Sequence, residues 1–166
     1  MIKIRPARSQ EDALVAYDLA YEFIAWLHER YPDMSHEIAH YLTHQKFDEQ
    51  IRDVLVHYNP PRGECLLAYQ GQEPVGILML KDVGDGTCEM NRMFVRAAAR
   101  GLGAGRALVQ DLMERARAMG FTEMILGALP RHYEAIPLYR SCGFKDDDRA
   151  GDPGDTDKAI LMKLVL

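Results

Sequence analysis

Glu89–Met119, EMNRMFVRAAARGLGAGRALVQDLMERARAM, joins an apolar-rich strand to a helix through a basic turn with three glycines. The strand spans Cys88 to Val95. After the turn Arg100-Gly101-Leu102-Gly103-Ala104-Gly105, residues Ala104, Leu108, Leu112, Ala116 and Met119 recur at helical spacing on one face. The glycines leave the backbone bare where the first-turn amides of that helix have no internal partners. Free amides and the positive end of the helix dipole make an anion site, and Arg96, Arg100 and Arg106 add positive charge around it. The expected ligand is phosphorylated, whereas the bland alternative is a tight connection and nothing more.

Two phosphate loops are excluded by spacing. A P-loop needs Lys and then Ser or Thr after its last glycine, and Arg106-Ala107 follows Gly105 here. The dinucleotide fingerprint needs a glycine three residues after the second, and counting from Gly101 and Gly103 that position is Arg106. The loop also falls mid-chain, after several strands.

Working outward, Ile2 and Ile4 alternate with Lys3 and Arg5 as an edge strand closed by Pro6. Ser9, with Glu11 and Asp12, opens a helix to about Arg30 whose buried side is expected to hold Leu14, Tyr17, Tyr21, Ile24 and Leu27 or His28. Tyr31-Pro32-Asp33 breaks it, and a second helix follows from Ser35 to about Tyr58 in one or two pieces. Asn59–Gly63 is a loop, and Cys65–Tyr69 and Val75–Val83 form a hairpin that turns through Gly84-Asp85-Gly86 into the Cys88–Val95 strand. Beyond the glycine-turn helix come a buried strand (Met124–Leu129), a helix (Tyr133–Cys142) and two strands (Phe144–Asp146 and Ala159–Val165). Pro137 sits near the start of its helix, where a missing amide costs little. The order β-α-α-β-β-β-α-β-α-β-β predicts an α/β fold with a mixed sheet, antiparallel in its hairpins and parallel across the helix crossover. A length of 166 residues suits one domain over 1–166.

The net charge of −5 conceals an asymmetry. Residues 92–117 hold six arginines against two acids, and residues 146–157 hold six aspartates against one arginine. The first patch suits a small anion but lacks the broad basic face that nucleic acid needs. The second is an acidic loop able to attract a cationic acceptor such as a polyamine or lysine, or simply a solvated one. No apolar run approaches a membrane span, and residues 1–5 read as a strand rather than a signal peptide. Cys65, Cys88 and Cys142 are odd in number, widely spaced and without histidines at metal-ligand spacing, which predicts buried thiols in a reducing cytoplasm and no metal.

Arg100-x-x-Gly103-x-Gly105 resembles the Q/R-x-x-G-x-G/A pyrophosphate loop of the GNAT N-acetyltransferases. Ala135-Ile136-Pro137-Leu138-Tyr139 with Gly143-Phe144 is similar to the A-x-x-x-Y-x-x-x-G-F segment of the same family, in the family's order and at its separation. The resemblance is firm over residues 64–145 and elsewhere rests on element order. It implies a GNAT fold and acetyl-CoA as co-substrate, with acetyl transfer to a primary amine, on a small molecule or a protein, by direct attack in a ternary complex. It also implies cofactor contacts from Met93, Phe94 and Val95, and from the loop residues Arg100, Gly101, Leu102, Gly103, Ala104, Gly105 and Arg106. His132 stands where many relatives place an asparagine on pantetheine; the other reading is a surface histidine at a helix start. Gly127 fits the gap into which pantetheine inserts, or is a packing glycine.

Glu89 matches the base of some histone-type members, acting directly or through water with a pKa raised by burial. It serves equally to anchor the amine or to pair with Arg92. Tyr139 matches the tyrosine that protonates the leaving thiolate, the alternative being a core tyrosine packed with Ile136 and Phe144. Trp26 and Tyr31, with Asp33 and His36 near the helix break, are candidates to line the acceptor pocket, although core packing also explains Trp26. Dimers are common in the family. The competing function is a non-catalytic acyl-CoA-binding or sensor module on the same fold.

Overall fold

The computed structural model describes residues 1–149 and 158–166. Four strands run antiparallel in succession: β1 (Ile2–Pro6), β2 (Gly63–Gln70), β3 (Glu73–Gly84) and β4 (Thr87–Val95). Next to β4 lies β5 (Glu123–Ala128) in parallel, then β7 (Ile160–Val165) and the two-residue β6 (Lys145–Asp146), each antiparallel to its neighbour. The parallel step requires a crossover, supplied by α5 (Ala104–Ala118) on one face of the sheet. α6 (Ala135–Ser141) packs beside α5 on the same face. The opposite face carries α1 (Gln10–Arg30), with α2 (Ser35–His44), α3 (Phe47–Arg52) and α4 (Val54–His57) against it.

The central strands are covered on both faces. Cys65–Ala68 and Ile77–Leu80 are fully buried as unbroken apolar runs, as strands sandwiched between helix layers should be. Leu108, Leu112 and Ala116 of α5 fill the core on one side, and Leu19, Phe23 and Leu27 of α1 fill it on the other.

The expected elements are present, with three local corrections. α1 starts at the predicted Ser9 cap, where Ser9 Oγ accepts from the Asp12 amide and Asp12 answers on the Ser9 amide. Its buried face, however, is Ala16, Leu19, Ala20, Phe23, Ile24 and Leu27, and Leu14 is 69% exposed. Outside the acidic stripe of Glu11, Asp18, Glu22 and Glu29, α1 is apolar over a wide arc, so periodicity alone does not fix the face. The second helical region is three helices, because Lys46 adopts a left-handed φ of 50° and Asp53 leaves helical geometry. α6 begins at Ala135, two residues later than predicted, because Arg131–Glu134 is held by side-chain contacts to α1 and the turn after it.

The sheet is divided at its centre. β4 and β5 pair at Thr87–Glu123, Cys88–Met124 and Glu89–Ile125, and there the pairing ends. Beyond Glu89, β4 follows β3 as far as the Val95–Gly76 pair, while β5 follows β7 to the Ala128–Ile160 pair. Between Asn91 and Phe94, β4 bulges: three residue steps match two on β3, and Arg92 adopts a φ of 55°. The two strands therefore diverge into a wedge.

Candidate active site

Two cavities meet at this wedge and share Met93 and His132. The inner chamber has apolar walls, including Phe23, Leu27, Ile38 and Leu126, with Asn91, Arg92 and Tyr139 also lining it. The outer cleft runs along Met93–Val95 to the glycine turn.

At the glycine turn, Gly101 and Gly103 have φ values of 81° and 85°, and an added Cβ would meet nothing within 4 Å. Glycine is therefore required by backbone conformation rather than by space. Gly103 is the N-cap of α5 and offers no side chain, and no side chain of the described residues caps this end. The first-turn amides consequently face the cleft, as an anion cradle requires. Gly105 is a glycine for another reason, since a Cβ there would lie 3.3 Å from Leu138 Cδ2. Gly101, Gly103, Ala104, Gly105, Arg100 and Arg106 all line the cleft, whereas Leu102 does not and is 51% exposed. Arg100 Nε donates to the Val95 carbonyl at 3.1 Å and Arg106 Nη2 to Ser141 Oγ at 3.1 Å. Arg96 departs from expectation. Glu22 holds it at 2.5 Å and it donates to the Pro74 carbonyl at 2.7 Å, so its charge is engaged away from the turn.

Tyr139 is buried against Phe144, edge to face with centroids 6.0 Å apart, and also lines the inner chamber. Burial alone raises its pKa, so at neutral pH the phenol keeps its proton. Gly127 lines the same chamber, and an added Cβ would make only ordinary contacts with Leu161 (3.4 Å) and Ala159 (3.8 Å). Packing does not demand a glycine there; its absent side chain leaves the wall bare.

Glu89 is buried one step behind the chamber wall. Its Oε1 accepts from Asn91 Nδ2 at 3.2 Å and lies 3.7 Å from Lys81 Nζ. The sequence motifs do not reach Asn91 and Arg92, although an asparagine and an arginine inside an apolar strand, between Met90 and Met93, are a visible signal. The bulge turns both toward the α1 side. There the Arg92 guanidinium lies over Phe47 (4.8 Å) and bonds to the Tyr58 hydroxyl.

His132 is not a surface histidine. Its Nδ1 lies 2.7 Å from the Tyr31 hydroxyl, its ring packs edge-on to Trp26 at 5.0 Å, and it reaches both cavities. Burial lowers its pKa to about 4, and burial raises that of Tyr31 to about 12, so both are neutral at pH 7. The Tyr31 hydroxyl and His132 Nδ1 share one hydrogen bond, whose direction follows the imidazole tautomer. Trp26 lines the outer cleft under Arg30 (4.6 Å), not the inner chamber, and Tyr31 lines neither cavity but positions His132. Asp33 is paired with Arg131 at 2.6 Å. Of the acidic loop, Asp146 pairs with Arg140 and Asp147 with Lys163, while Asp152, Asp155 and Asp157 lie outside the described residues.

The site thus joins a strand pair that opens into a wedge, a bare helix N-terminus at one end and a buried phenol beyond it. The sequence profile of the Acetyltransferase (GNAT) family matches residues 20–144, and the chain belongs to that family. An uncharacterised N-acetyltransferase of Schizosaccharomyces pombe is 34% identical over 106 residues, 63% of this chain and 65% of that one. An uncharacterised N-acetyltransferase of Escherichia coli, YjgM, is 33% identical over 67% of this chain and 68% of its own length. The matched regions span between about a third and two thirds of the length of these and the other curated relatives. The PaiA N-acetyltransferase of Thermoplasma acidophilum, solved with coenzyme A, superposes with a TM-score of 0.77 at 18% identity, covering 100% of this chain and 99% of that one. A Bacillus subtilis acetyltransferase, also solved with CoA, has a TM-score of 0.64 at 22% identity, covering 100% and 99%. Among the described residues, no helix is long and apolar enough to cross a membrane.

Proposed function

We propose that this protein is an acetyl-CoA-dependent N-acetyltransferase acting on a primary amine. The observation that supports it most is the parting of β4 from β5 after Glu89, which leads from the uncapped α5 N-terminus to Tyr139. The site fits the co-substrate by chemistry. The bare amides of the Gly103–Gly105 turn, flanked by Arg100 and Arg106, suit a pyrophosphate. The edge of β4 over Met93–Val95 suits the amide-bearing pantetheine, and His132 adds a neutral polar ring beside it. The coenzyme A bound by structural neighbours supports the same assignment.

In this reading the acceptor ammonium loses a proton to Glu89 through water, since the carboxylate stands behind Asn91 rather than on the chamber wall. The amine nitrogen then attacks the thioester carbonyl carbon, with a backbone amide near Phe94 stabilising the oxyanion. The C–S bond breaks, and the Tyr139 phenol, kept protonated by burial, gives its proton to the departing sulfur. The three free thiols, two of them buried, suit a reducing compartment, and we place the protein in the cytoplasm.

The test is thiol release from acetyl-CoA across an amine panel, with acetylated product identified by mass. Amine-dependent release with stoichiometric N-acetyl product is expected. Acetyl-CoA binding without transfer to any amine would make this a binding module instead.

A further inference from the structure

Two buried side-chain polar atoms find no hydrogen-bond partner among the described residues: Asn91 Oδ1 and Arg92 Nε. They belong to consecutive residues, and both residues line the inner chamber. Buried polar atoms are almost always partnered, so an unpartnered acceptor beside an unpartnered donor points to a ligand that supplies both complements. The orientation of Asn91 is fixed by its neighbour. A carboxylate only accepts, so Nδ2 must face Glu89, and Oδ1 is left over.

Charge points the same way. Arg92 is 3% exposed and always protonated, yet no carboxylate of the described residues forms an ion pair with it. Its hydrogen-bond partners are the Tyr58 hydroxyl, Gln50 Oε1 at 3.4 Å and Met79 Sδ at 3.9 Å, and the Phe47 ring and Tyr41 also act on it, none of them a carboxylate. Glu89 acts on it without a direct ion-pair contact and also faces Lys81 at 3.7 Å. Glu37, the acid on the chamber wall, is already paired with Lys158 at 2.7 Å, and His132 is neutral at pH 7. A buried guanidinium with no carboxylate in direct contact is further stabilised by an anion that arrives with the substrate.

We infer that the acceptor is a free amino acid or a close amino-carboxylate analogue, its carboxylate received by Arg92 Nε–H and its ammonium by Asn91 Oδ1. The inference rests on the transferase reading above and names its substrate class. One ligand satisfies both orphaned atoms because amine and carboxylate flank a single carbon, and the apolar chamber walls leave an aliphatic or aromatic side chain as the favoured third substituent. In the reaction the ammonium gives one proton to the base. The amino nitrogen bonds the acetyl carbon, the C–S bond breaks, and the second nitrogen proton replaces the one that Tyr139 gives to sulfur. Products are the N-acetylamino acid and coenzyme A. Polyamines and other purely cationic acceptors leave Arg92 without an anion and are disfavoured.

The experiment compares the standard L-amino acids with their carboxamides and decarboxylated amines, including L-leucine, L-leucinamide and isopentylamine, using wild-type protein and acetyl-CoA. Amino acids should exceed their matched amides and amines in kcat/KM by at least about tenfold, because a buried group built to bind a carboxylate penalises its loss. Arg92→Gln should erase that preference by raising KM for the amino acid while KM for acetyl-CoA stays put. The wild-type comparison stands even where the variant folds poorly. Equal or better use of amides, amines or polyamines would overturn the inference and leave the transferase reading intact. No transfer to any amine would sink both.

Discussion

Tyr139 stands on the wall of an apolar chamber with its phenol kept neutral by burial, and the outcome of removing that single proton is specific. Tyr139→Phe should lower kcat by about two orders of magnitude, the range of a positioned general acid, with acetyl-CoA affinity nearly unchanged in a calorimetric titration. Normal turnover in the variant would assign the tyrosine to packing against Phe144. Glu89 makes a second residue-scale prediction. Glu89→Gln should reduce turnover at neutral pH with acetyl-CoA affinity retained, and unchanged turnover would remove Glu89 from proton transfer. Tyr139 was legible in the sequence because its motif places it at a fixed offset from Gly143-Phe144. Asn91 and Arg92 were less so, since their exposure to the chamber depends on a bulge, and a bulge is set by backbone pairing that residue types do not announce.

At the scale of elements, the strand–turn–helix unit over Glu89–Met119 does most of the positioning. Its glycines have two distinct duties: Gly101 and Gly103 hold left-handed backbone, and Gly105 makes room for Leu138. Gly103→Ala should destabilise the protein by about 1 kcal/mol, read from denaturant midpoints, because an L-residue there is strained although its methyl meets no atom. Gly103→Asp adds a negative charge at the uncapped end of α5 and should abolish binding of acetyl-CoA; retained micromolar affinity would show that the turn holds no pyrophosphate. The amphipathic stripe of α5 was legible residue by residue because its polar and apolar faces are cleanly separated. That of α1 was not, for Tyr17, Tyr21 and Leu14 are apolar or aromatic on a side that the fold leaves partly open. The division of the second helix was also hidden, since it depends on Lys46 accepting a left-handed turn.

Across the whole molecule, the two helix layers are tied over the wedge by a clasp between α1 and the β5–α6 connection. Arg30 pairs with Glu134 at 2.7 Å, Arg131 with Asp33 at 2.6 Å, and Tyr31 with His132 at 2.7 Å. No sequence pattern linked residues 101 positions apart. The clasp gives the protein an acid-sensitive term. In the unfolded chain His132 has its ordinary pKa of 6.5, but the fold lowers it to about 4, so between those values the unfolded state binds the proton more tightly. Its contribution to stability is therefore full above pH 6.5 and is lost as pH falls toward 4. Urea unfolding across that window should show falling stability in the wild type and a flatter profile for His132→Gln; identical profiles would place the sensitivity elsewhere. The wedge and the glycine turn should receive one ligand together. The most direct measurement is a calorimetric titration of the protein with acetyl-CoA, with desulfo-CoA and NAD as comparators. Saturable one-to-one binding of both CoA species and no heat with NAD is the predicted result, and no binding of any CoA species would contradict it.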